Sequence, residues 1–398
     1  MKKININELI FILILFFPIS TILQGIEGFN SINKILTGIT ILLLLFRNIQ
    51  VKMKMKNVII LFCSLVVYVF SFVFTKNALD NFNDIFYFAL WVLFSLWIRD
   101  NYEDFKFYIK SKIDVIYKIV ILWNIIVFIS LFFSVSYNQN WGNEIYFKSF
   151  SNSEHRFAAA CMFIFALSWV VAREKGKYKY FAFSILPIIS IFSSGARVYL
   201  GVVLVFLGCI YYILCKKKSI FYISIVPIAA IGIFLIMLTP MGEKFISISN
   251  NGYSDFIAAF SNGRSIFWEA DIKAFFELDC LKQLVGNGYN FIYDINEIAI
   301  HARIWGHNDV INILLTYGYI GVFIYFYVFI SMSKKVLKNM NISKIIVCGY
   351  YFIWLFNAMF NMVYTYINAT LALPFILYSL AEFENAKKEE NKRKNETI

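Results

Sequence analysis

The chain has 398 residues, 60% of them hydrophobic and only 16% charged, with a mean hydropathy of +0.67. Soluble globular proteins are about half apolar and about a quarter charged, so this composition argues against a water-soluble fold and for lipid as the solvent. The net charge of +12 comes from short Lys/Arg clusters between apolar runs, which the positive-inside rule explains better than nucleic-acid binding does.

A membrane-spanning helix needs roughly 20 predominantly apolar residues. Runs of this kind fall at 8–25, 31–47, 57–75, 82–98, 113–135, 154–172, 180–194, 198–215, 219–239, 308–332, 344–361 and 363–381. The expected architecture is therefore an all-α integral membrane protein of about twelve spans. Met1-Lys2-Lys3 before the first run reads as the lead-in to an uncleaved helix, since no small-residue cleavage site follows. With the N-terminus inside, 27 of the 37 Lys and Arg lie on the inner side and 10 outside, which places both termini in the cytoplasm. The six cysteines include no CxxC pair, so they indicate neither a disulfide framework nor a zinc site.

The organisation follows from these spans. Residues 1–239 carry the first nine, 240–307 form one large extracytoplasmic loop, 308–381 carry the last three, and 382–398 form a basic cytoplasmic tail. Within the loop, Ile266, Ala270, Ala274, Leu278, Leu281 and Val285 recur at helical spacing, which predicts one amphipathic helix over 264–285. Glu269, Asp271, Lys273, Glu277 and Lys282 fall on its polar side. Such a helix lies in the membrane surface or caps the bundle. Gly286-Asn287-Gly288 supplies residues that tolerate positive φ at its end.

Four outer segments hold the residues suited to chemistry. Glu154, His155 and Arg156 open the sixth span. Arg197, in Ser193-Ser194-Gly195-Ala196-Arg197-Val198-Tyr199, opens the eighth. Arg264 follows Gly263 at the start of the loop helix. His301, Arg303, His307, Asn308 and Asp309 lead into the tenth span. An outer arginine reads either as a side chain snorkelling to the interface or as an anion clamp, because a guanidinium holds phosphate through two parallel hydrogen bonds. His307 reads as a proton acceptor or as a structural imidazole. The spacing of His301, His307 and Asp309 matches no common metal-ligand motif, and no metal or other cofactor is expected.

Ser193 to Tyr199, Gly263-Arg264 with Trp268, Gly286-Asn287-Gly288, His307-Asn308-Asp309 and Gly318-Tyr319-Ile320-Gly321 occur in an order that resembles the O-antigen and capsule polysaccharide polymerases (Wzy-type) and the related O-antigen ligases. The resemblance implies a metal-independent inverting glycosyltransferase on the outer face of the bacterial cytoplasmic membrane. Its donor would be an oligosaccharide on undecaprenyl diphosphate. By position, Arg197 and Arg264 would bind the diphosphate, with Arg303 and Arg156 as additions, and His307 would be the catalytic base. Asn308, Asp309, Glu154 and His155 would serve the acceptor or support the site, Glu154 and Asp309 being alternative bases. The implied partners are the lipid-linked glycan, the bilayer, and a chain-length regulator and flippase of the same pathway. The alternatives are a ligase using the same donor, or a lipid-linked oligosaccharide flippase. Against the flippase, no internal repeat is present and the charges sit at the outer surface rather than at midplane.

Overall fold

The computed structural model describes residues 5–50, 54–75, 78–141, 144–237, 263–338, 340 and 342–396. Over these it is almost entirely helical. Helices α1 (Ile6–Leu23), α2 (Ile32–Gln50), α3 (Met55–Phe74) and α4 (Ala78–Asp100) lead into α5 (Tyr102–Ser111) and α6 (Ile113–Ser130). Next come a hairpin of β1 (Tyr137–Trp141) and β2 (Glu144–Phe147), then α7 (Glu154–Glu174), α8 (Ile185–Ser193), α9 (Arg197–Leu214) and α10 (Lys218–Met237). The rest comprises α11 (Arg264–Phe276), α12 (Cys280–Val285), α13 (Phe291–Ile300), α14 (Asp309–Lys338), α15 (Lys344–Phe360) and α16 (Ile367–Glu396).

Seven helices among the described residues are long and apolar enough to cross a membrane: α1, α3, α4, α6, α7, α9 and α14. They divide by surroundings. On α3, Val58, Phe62, Leu65, Val69 and Val73 recur at three- and four-residue steps and are all exposed, an apolar stripe larger than soluble monomers carry. α7 is the opposite case, buried almost all round. Ala158-Ala159-Ala160, Cys161, Ala166 and Ser168 keep its surface small, so neighbouring backbones approach closely. It packs against α1, α6, α8 and α16 and forms the axis of the bundle.

Several expectations need correction. The run 180–194 is a 3₁₀ turn at Tyr178–Ser184 followed by the short α8, not one long helix. The connection at 99–118 contains α5, which buries Tyr102, Phe105, Tyr108 and Ile109 on one face. The loop at 136–153 contains the antiparallel hairpin, with Tyr137 opposite Phe147. The helix forecast over 264–285 is two helices, broken where Asp279 caps α12 by accepting from the Lys282 N–H at 3.0 Å. Its buried face also differs. Phe267, Asp271 and Phe275 point inward while Ile266, Ile272 and Phe276 are exposed. α13 is an additional helix in the same region. The first part of the forecast loop, 240–262, lies outside the described residues.

Two glycine motifs fasten the α11–α13 region to the bundle. α14 departs from helical geometry at Gly318 (φ +65°), and a Cβ there would sit 2.5 Å from the Leu284 carbonyl. Reciprocally, Gly286 (φ +86°) lies against Thr316, where an added Cβ would come within 2.2 Å of the backbone oxygen. The Asn287 N–H then donates to the Leu315 carbonyl at 2.8 Å, and the Tyr289 N–H to Thr75 Oγ1 at 3.0 Å. Either glycine→Ala substitution meets both a backbone clash and a disfavoured φ. Gly318→Ala is expected to lower the thermal midpoint in detergent, with proteolysis at the cap appearing first, whereas Gly38→Ala, which has open space around it, leaves both unchanged.

Candidate functional site

Four helix N-termini meet at one end of the bundle. Ser153 caps α7 by accepting from the Arg156 N–H at 3.3 Å, which fixes His155 and Arg156 in the first turn. Gly195 (φ +66°) turns the chain into α9 and makes Arg197 its first residue. Gly263 (φ +79°) does the same for Arg264 and α11. The Asn308 side chain caps α14, accepting from Val310 N at 2.9 Å and Ile311 N at 3.2 Å. His307 immediately before it adopts a left-handed φ of 48°, a conformation that is strained for a non-glycine residue and clusters at functional sites. Helix N-termini present free N–H groups and the positive dipole end, so an anion is favoured here.

The side chains converge as well. The rings of His155 and His307 are 6.5 Å apart, and His155 lies 6.3 Å from Tyr366. Arg156 and Arg264 both bear on the Tyr366 hydroxyl, and Arg197 bears on Arg264. The Arg264 guanidinium donates to the Phe360 carbonyl at the C-terminal end of α15. Among the described residues no carboxylate pairs with it. Burial pulls its pKa down to about 10, which Tyr366 opposes and Arg197 reinforces, and it remains a cation at neutral pH. His307 is held well below the usual histidine range, first by burial and then by Arg264 and His155. It is therefore neutral at pH 7, and its Nδ1 is buried without a hydrogen-bond partner among the described residues.

The other forecast residues have surroundings of their own. Arg303 is half-exposed and ion-paired with Asp294 at 3.1 Å and Glu297 at 3.0 Å on α13, with Tyr293 beneath it. Its guanidinium is thus engaged with two carboxylates of α13. Asp309 is fully buried, and its Oδ2 accepts from Tyr325 OH at 2.6 Å, Val363 N at 2.8 Å and Tyr364 N at 3.4 Å. That geometry holds the 361–366 turn, and so Tyr366, in place. Glu154 is buried at the start of α7. Among the described residues no three His, Cys, Asp or Glu side chains group as a metal site.

No protein-family model, no curated protein and no solved structure matches the chain.

Two residues absent from the sequence reading, and a third read there only as part of a polar helix face, belong to the site geometry. Asp84 on α4 accepts from Tyr317 OH at 2.6 Å and Tyr364 OH at 3.0 Å, tying the same turn to α4 and α14. An ionisable residue inside a candidate span was the available signal. Tyr366 carried none. Asp271 is the third. It faces the 306–312 segment, fully buried, with neither carboxylate oxygen hydrogen-bonded among the described residues. Nearby, Trp268 donates its indole N–H to the Gly306 carbonyl, and Gly306 N donates to Asn312 Oδ1 at 3.1 Å.

Burial raises the Asp271 carboxyl to about 8 from an ordinary 3.8. Between these values the folded chain keeps a proton that the unfolded chain releases, so stability falls as pH rises, by on the order of 1.4 kcal/mol per pH unit. Asp271→Asn is expected to raise the thermal midpoint at pH 8 and to leave it unchanged near pH 4. Parallel midpoints for the two proteins across that range would show that Asp271 ionises freely in the fold.

Proposed function

We propose that the chain is a polysaccharide polymerase of the bacterial cytoplasmic membrane. It joins oligosaccharide repeat units carried on undecaprenyl diphosphate, at the outer end of a bundle of about twelve spans with both termini inside. The observation that carries the reading is the meeting of Arg156, Arg197 and Arg264 with a neutral His307 at four helix N-termini. A diphosphate is recognised by such a group, and it becomes a good leaving group once its charge is held. Positioning and electrostatic stabilisation then carry most of the rate.

In this mechanism the acceptor hydroxyl attacks the anomeric carbon as the bond to the diphosphate oxygen breaks, inverting that carbon. The hydroxyl proton passes to His307, and the lipid diphosphate leaves with the bonding electron pair on its oxygen, where the arginines hold the added charge. Asn308 and Asp309 support the base by fixing the start of α14 and the 361–366 turn. Exposed Ile266, Ile272 and Phe276 on α11 suit a cap lying at the bilayer surface, where a lipid-linked donor arrives.

The test is incubation of the purified protein in lipid with undecaprenyl-diphosphate repeat units, read as a ladder of products. The expected ladder persists in chelator and is lost in His307→Ala. A folded Arg197→Ala/Arg264→Ala protein that polymerises at the wild-type rate overturns the diphosphate site. Single transfer onto a different lipid or protein acceptor, with no ladder, would identify a ligase using the same donor.

A further inference from the structure

We propose that the opposite end of the bundle holds a binding pocket for the phosphate headgroup of an anionic phospholipid, built from the α9–α10 turn, the start of α15 and the charged extension of α16. The proposal rests on reading the chain as membrane-spanning and not on the glycan chemistry.

The pocket is a cavity of about 450 Å³ whose rim carries Lys216, Lys218, Lys387, Lys388 and Lys394. α16 makes it possible. This helix is predominantly apolar to Ala381 and then continues to Glu396 without unwinding, so its lysines stand in register beyond the apolar layer. Glu384 is held in place by Ser343, whose backbone N–H lies 3.0 Å from both carboxylate oxygens, and that contact docks α16 onto the N-terminus of α15.

The charges do not cancel. Lys388 lies 3.2 Å from Glu384, while Lys387, at 2.9 Å, and Lys394 share Glu390. Lys218 donates to the Tyr212 carbonyl and lies 3.8 Å above the Tyr212 ring. Among the described residues neither Lys216 nor Lys218 meets a carboxylate. Lys216 and Lys218 thus add positive charge to a concave rim on which Glu384 and Glu390 already engage the α16 lysines.

On the α9 side the wall is Tyr212, Ile213 and Cys215, and Leu214, Ile220 and Ile223 are exposed beside it along α9 and α10. A charged rim opening onto an apolar strip fits a phosphodiester headgroup with its acyl chains on the protein surface. Basic pockets between helices on the cytoplasmic side take such headgroups. A soluble phosphate would use the rim alone and leave the strip unused.

The test measures lipid retained on the detergent-purified full chain by native mass spectrometry, after exchange into mixtures of phosphatidylglycerol and phosphatidylcholine. Wild type is expected to keep the anionic lipid, with retention falling at least tenfold in Lys216→Gln/Lys218→Gln. The control Lys110→Gln/Lys118→Gln removes the same charge from exposed positions on the same side and is expected to retain lipid like wild type. Equal loss in both double variants would reduce the effect to diffuse surface charge and overturn the pocket. Displacement by millimolar inorganic phosphate would assign the rim to a soluble anion and overturn the lipid. Glycan transfer measured on the same preparations reads the two proposals separately.

Discussion

Arg264→Ala is expected to slow glycan transfer by about 10²–10³-fold, the range seen when one preorganised group facing developing charge is removed. The size of the effect follows from its position. Arg264 is the first residue of α11, half-buried, fixed by the Phe360 carbonyl and paired with no carboxylate among the described residues. A carboxylate partner would neutralise the charge before donor arrives. Here the cation stays available, and burial lowers the dielectric in which it acts. Arg264→Lys keeps the charge but loses the planar fork, and should recover only part of the rate. Arg303→Ala is the internal comparison. Its guanidinium belongs to a half-exposed ion pair with Asp294 and Glu297, a class worth about 0–1 kcal/mol, so transfer should stay within a few-fold of wild type. Initial rates on proteins with matched thermal midpoints measure all three. A larger loss for Arg303→Ala than for Arg264→Ala would invert the assignment of the clamp.

The contrast between these two arginines marks how far the sequence can be read. Both lie between α10 and α14, beside aromatic residues and close to a glycine or histidine. Arg303 meets its partners across six and nine residues, spacings set by how the chain folds back from α13 and by no helical repeat. The seven long apolar helices were easier to read because a helix with an exposed apolar stripe, such as α3, writes its environment into composition. α8 misled for a related reason. Its hydropathy is that of a span, but the preceding Tyr178–Ser184 segment winds as 3₁₀ and leaves only Ile185–Ser193 as α-helix.

On α11 the face was misjudged because carboxylates are normally outside, and only the packing of α11 on the 306–312 segment turns Asp271 inward. The glycine motifs were visible as motifs, yet their partnership was not. That Gly286 and Gly318 receive each other's neighbouring backbone is a tertiary fact. The convergence of Arg156, Arg197, Arg264 and His307 is likewise tertiary, since each sits at the start of a different element.

That convergence has a kinetic consequence in the pH dependence of transfer. A base must be neutral to accept the acceptor proton, so activity falls on the acid side as His307 becomes protonated. In the free protein, burial, Arg264 and His155 hold the His307 pKa well below the usual range. A bound diphosphate brings negative charge against Arg264 and offsets its repulsion of the imidazolium, so the pKa rises in the donor complex. With donor varied at saturating acceptor, kcat/KM reports the free protein and kcat the complex. The acid limb of kcat is therefore expected at higher pH than that of kcat/KM, by about one unit for one such charge interaction at short range. Arg264→Gln removes the repulsion before donor binds, which should move the kcat/KM limb upward and bring the two limbs together. Coincident limbs in the wild-type protein would mean either that His307 is not the base or that the donor diphosphate lies away from Arg264. The Arg264→Gln profile separates these outcomes, because an unchanged kcat/KM limb in that variant removes His307 from the proton transfer.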